Sequence, residues 1–81
     1  NMSSNVLAVA FAALWSSVNN LRLMADKGIV SPDEVDVSLA LILEAVEFLG
    51  DAQLQKIVND RLETMMAEIR ASAARNAGQV N

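Results

Sequence analysis

The sequence predicts an all-α fold: an antiparallel chain of three helices, at about 4–27, 32–49 and 51–74, that pairs as a helical-bundle dimer. Three observations predict it. Apolar residues recur at spacings of three and four, and nothing alternates polar and apolar for long enough to argue a strand. Two breaks, Gly28 to Pro32 and Gly50-Asp51, divide the chain. The third is a surplus of apolar side chains. Of 81 residues, 30 are large and apolar besides 13 alanines, whereas three helices with apolar stripes over about 3/7 of their surface use roughly 25 such positions.

Size makes that surplus consequential. A chain this short buries only about 60% of its unfolded surface, so a lone monomer is marginal. Pairing two copies is the simplest way to cover what is left over. The whole chain, 1–81, is one domain on this reading, with 75–81 a fraying tail.

The first helix carries Leu7, Phe11, Leu14, Val18, Leu21 and Ala25 at alternating spacings of four and three, a heptad seam suited to shallow crossing angles. Beside it run the small residues Ala8, Ala12 and Ser16. Residues 2–21 hold no charge at all, and a solvated helix face normally does. The predicted dimer contact is therefore Leu7, Ala8, Phe11, Ala12, Trp15 and Ser16. A secretory signal would carry Lys or Arg ahead of the apolar run Val6 to Trp15, and none is there. A membrane span needs about 20 apolar residues, and Ser16, Ser17, Asn19 and Asn20 interrupt this stretch. A cytoplasmic chain without membrane contact is expected.

The first break is written in four agreeing signals. Gly28 suits the left-handed residue that closes a helix, with Ile29 one position beyond it. Ser31 then caps the second helix, Pro32 enters its first turn, and Glu34 completes a capping box. Val30 and Val35 stand at the two positions of a hydrophobic staple.

The second helix has two apolar flanks: Val35, Leu39, Ile42, Val46 and Leu49 on one side, Val37, Leu41, Ala45 and Phe48 on the other. Such a helix is expected to be gripped on both sides. Its remaining strip is acidic: Asp33, Asp36, Glu44, Glu47 and Asp51, with no base between residues 31 and 50. Glu44, Glu47 and Asp51 form a candidate docking strip for a basic partner protein.

Gly50 is expected to end this helix and Asp51 to cap the next. The third helix reads as plainly amphipathic, with Leu54, Ile57, Val58, Leu62, Met65, Met66 and Ile69 inward. Gln55, Lys56, Asn59, Asp60, Glu63 and Arg70 face out. The Met65-Met66 pair reads as core filling.

Catalysis finds little to work with. The chain has no His, Cys or Tyr, which leaves carboxylates and two lysines as acid–base candidates. Di-metal bundle sites need a Glu-x-x-His element, which is missing. Gly28 to Glu34 matches the second half of a calcium loop, but Leu23, Ala25 and Lys27 would fill ligand positions one, three and five. No catalytic residue, cofactor or metal is expected.

Helix, Gly turn, helix is also the outline of a DNA-binding unit. The reading helix would be the most acidic part of the chain, and phosphate contacts need Lys and Arg. No direct nucleic-acid binding is expected. The expected function is a non-enzymatic, self-associating assembly module. The alternatives are a small phage- or plasmid-type regulator acting through a protein partner, and a binder of a small apolar ligand between helices.

Overall fold

The computed structural model describes residues 2–77 and folds into three helices: α1 (Met2–Asp26), α2 (Pro32–Val46) and α3 (Ala52–Asn76). No strand occurs among the described residues. Pairs between helices fix the directions. Trp15 of α1 meets Arg61 of α3, and eleven residues on in both helices Asp26 meets Ser72, so α1 and α3 run parallel. Arg70, near the end of α3, meets Asp36 at the start of α2, so α2 runs against both.

The core lies along α3, which packs on both other helices, whereas α1 and α2 touch less. Val18 from α1, Val35 and Leu39 from α2, and Leu62 and Ile69 from α3 are completely buried. Side chains of this size contribute about 1.5–3 kcal/mol each when removed from water. Val46, Val58, Met66 and Ala73 extend the same core, with Phe11, Leu14, Trp15 and Ile42 half-buried against it.

The first turn is built as the sequence predicts. Gly28 has φ of 71°; its N–H donates to the Ala25 carbonyl at 3.0 Å, and the Ile29 N–H donates to the Met24 carbonyl at 3.1 Å. These are the two bonds of a Schellman closure. Ser31 Oγ accepts from the Glu34 N–H at 3.1 Å, and Glu34 Oε1 accepts from the Ser31 N–H at 2.8 Å. The capping box is therefore complete.

The second turn differs. The regular part of α2 ends at Val46, three residues short of the expected limit. The chain then tightens, with the Phe48 and Leu49 N–H groups donating to the Ala45 and Val46 carbonyls. Gly50 does not take a positive φ. The end is held from α3 instead: Gln55 Nε2 donates to the Leu49 carbonyl at 2.7 Å and to the Glu47 carbonyl at 3.1 Å. Gln55, expected on the outer face, thus supplies the missing closure by satisfying carbonyls that a helix end leaves unpaired. Asp51 caps α3, its Oδ1 accepting from the Gln53 and Leu54 N–H groups.

The other limits move as well. α1 starts two residues earlier than expected. α3 continues through Asn76, so residues 75 and 76 belong to a helix and not to a fraying tail. Asn76 Nδ2 donates to the carbonyls of Ala25 (3.0 Å) and Asp26 (3.3 Å), closing the end of α1. Ser72 Oγ, buried, donates to Asp26 Oδ1 at 2.6 Å. Residues 78–81 of the expected tail lie outside the described residues.

Gly28 and Gly50 should respond oppositely to alanine. Gly28→Ala forces a Cβ into the left-handed region and should destabilise by about 1–2 kcal/mol. At Gly50 a Cβ meets nothing within 4 Å, and Gly50→Ala should stabilise by about 0.4–1 kcal/mol through the unfolded chain. Urea midpoints at one protein concentration, with unchanged slope, measure both. Equal losses would contradict the assignment of the two turns.

Candidate functional site

The expected two-sided grip on α2 is found on one side only. Val35, Leu39 and Val46 are buried, with Ile42 and Leu49 half-buried. Val37, Leu41, Ala45 and Phe48 are exposed, Phe48 by 85% and Leu41 by 62%. Within one chain nothing covers the second flank.

The same holds for the start of α1. The predicted seam is buried at Val18, Leu21 and Ala25, half-buried at Phe11 and Leu14, and exposed at Leu7. Ser4 to Ala10 are all exposed, Val9 by 70%. Burial thus fades along α1 toward its N-terminus.

These two uncovered stretches border one groove. Ala10, Phe11 and Leu14 of α1 face Ala45, Val46 and Leu49 across a recess of about 160 Å³ that opens to solvent. It continues along Ala13, Ser17, Leu41 and Ile42. None of these ten residues carries a charge, and Ser17 is the only polar one. Small side chains at positions 10, 13, 17 and 45 keep the walls low.

The six residues expected to form the dimer contact are divided between two roles. Phe11 and Trp15 pack half-buried against the chain's own core. The Arg61 guanidinium lies over the Trp15 ring, 4.9 Å from its centroid, a cation–π contact. Leu7, Ala8, Ala12 and Ser16 remain exposed. Ile57, expected to face in, is 60% exposed. Leu41, Ala45 and Phe48 form the part of the candidate face that the reading of α1 alone missed. Their signal was the second apolar flank of α2, which periodicity displays without saying what covers it.

The acidic strip also divides. Glu44 and Glu47 are exposed, whereas the Asp51 carboxylate is engaged in capping α3. Asp36 pairs with Arg70 at 3.1 Å. Glu47 shares a cleft between α2 and α3 with Asp60 and Glu63, a juxtaposition that only the fold creates. Asp60 is bonded to Lys56 at 2.9 Å; that hydrogen bond and the carboxylate charge raise the Lys56 pKa. Among the described residues no cluster of three metal-ligating side chains occurs.

One helix, over Ser4–Asp26, is long and apolar enough to span a membrane by length and composition alone, with mean hydropathy 1.3. Three of its residues, Val18, Leu21 and Ala25, are core of the bundle. Compared with family models, curated proteins and solved structures, the chain matches none.

Removing the charges of the strip should leave the fold intact. Glu44→Gln together with Glu47→Gln should keep the far-ultraviolet dichroism and shift the urea-derived stability by less than about 0.5 kcal/mol, the range of exposed substitutions. A loss of several kcal/mol would place the strip inside the structure.

Proposed function

We propose that this chain is a non-enzymatic assembly module that pairs with a second copy of itself through the uncovered face of α1 and α2. The observation that carries the reading is that face: Val6, Val9, Leu41 and Phe48 stand exposed beside an uncharged apolar groove. Contiguous apolar patches of this kind mark contact surfaces.

Surface area points the same way. The chain exposes 5543 Å², against about 4,700 Å² for a compact monomer of this mass. A rod of 50 × 19 × 16 Å presents a long side for such a contact.

The charge distribution supports pairing over nonspecific adhesion. The groove lining is neutral, with Glu44, three residues from Leu41 and four from Phe48, at its rim and Glu47 farther round α2. A net charge of −4 keeps the remaining surface soluble, consistent with a cytoplasmic protein. No step of chemistry is assigned to it.

Sedimentation across a concentration series tests the reading. The chain should pass from monomer to dimer with a Kd below about 10 μM, near −7 kcal/mol. Leu41→Glu should weaken pairing at least ~100-fold, about 2.7 kcal/mol, because the carboxylate would be buried without a partner. Its helical dichroism should be unchanged, since Leu41 lies outside the core. A wild-type chain that stays monomeric to about 1 mM would sink the proposal.

A further inference from the structure

We propose that the pairing is reciprocal: Phe48 of each copy seats in the groove between α1 and α2 of the other. This rests on the self-association reading above and adds to it which side chain enters which recess.

Size is the first argument. The recess lined by Ala10, Phe11, Leu14, Ala45, Val46 and Leu49 measures about 160 Å³ and opens into a further 330 Å³ along α1 and α2, and an apolar cavity of about 150 Å³ already accepts a benzene-sized ring. Phe48 carries such a ring and is 85% exposed, more than any other large apolar side chain among the described residues. Its own groove does not hold it, because Phe48 is absent from that lining.

Position is the second argument. Phe48 stands in the tight turn after α2, between Ala45 and Leu49, which both line the recess. Knob and hole therefore sit side by side at one end of one face. A two-fold rotation about an axis between them places each ring over the other copy's recess, so one operation generates both contacts. Leu41 and Val9 then flank the pair as surrounding apolar contact, with Glu44 at its solvent-facing rim.

Two variants and their mixture test this. Phe48→Ala removes the knob and keeps the hole. Ala10→Leu keeps the knob and fills the hole from α1. Both positions are exposed, so helical dichroism should match wild type, and melting should match it at concentrations low enough for wild type to be monomeric; Ala45→Leu replaces Ala10→Leu if that variant does not fold. By sedimentation each variant alone should dimerise at least ~100-fold more weakly than wild type.

Mixed one to one, the Phe48→Ala copy offers an open hole to the intact ring of the other, restoring one of two contacts. The heterodimer should therefore be at least ~10-fold tighter than either homodimer. A heterodimer of intermediate affinity means that area alone drives pairing, and it overturns the knob-and-hole contact. Phe48→Ala within threefold of wild type overturns it as well, while leaving self-association standing.

A wild-type chain that grows beyond dimers overturns reciprocity. A monomeric wild type overturns both readings; if it then binds toluene, followed by methyl shifts at Ala10 and Leu14, the groove belongs to a small ligand.

Discussion

The length of α2 constrains everything else. Its fifteen residues span about 22 Å, whereas the twenty-five of α1 span about 37 Å. Both ends of α2 are fixed. Ser31 and Pro32 prevent extension backward, because the cap needs extended backbone and proline has no N–H to continue the ladder. Forward, the chain must reach the Asp51 cap of α3, and Gln55 holds the carbonyls of Glu47 and Leu49 where they are. A helix so confined cannot cover the first turns of α1, and Val6, Leu7 and Val9 are left exposed.

The two ends of the bundle are consequently unlike. At the Gly28 end the polar groups interlock. Asp26 accepts from Ser72, Asn76 holds the last carbonyls of α1, and Asp36 pairs with Arg70. Each of these bonds joins residues at least 34 positions apart in sequence, so each fixes tertiary geometry and not merely a helix end. At the opposite end α1 and α2 are separated by a groove. The end with the polar locks needs no further partner, and the uncharged groove at the other end has apolar surface without one. That asymmetry is why the proposed contact lies on the α1–α2 groove and not along the whole rod.

The parts of the fold that were legible in the sequence are those set by local chemistry. Gly28, Ser31 and Glu34 act on atoms within a few residues of themselves, so their roles follow from spacing alone. The same holds for Asp51. What was not legible depends on distant residues. Gly50 resembles Gly28 as a sequence signal, yet Gln55, from the next helix, does the closing there. Asn76 extends α3 past the expected limit because the carbonyls of Ala25 and Asp26 happen to be within its reach. The candidate face shows the same division. Periodicity reveals that α2 has two apolar flanks, but only the packing decides that one meets α1 and α3 while the other meets nothing. Trp15 and Phe11 were equally apolar as sequence, and the fold directs them inward, to Arg61 and the core.

An exposed aromatic beside an apolar recess poses a problem of closure. Had the knob and the hole stood on opposite sides of the rod, each copy would offer an unsatisfied ring to the next, and the contact would propagate into a fibre. Phe48 and the recess instead occupy the same end of the same face, because the ring follows directly on the residues that line the hole. On the proposed reading, two copies fill each other's recess and leave no free Phe48 ring to recruit a third. The shortness of α2 therefore has two consequences at once. It opens the groove, and it brings the chain out of the helix at Phe48, beside the opening. A longer α2 would cover more of α1, fill the recess from within, and remove both halves of the contact together.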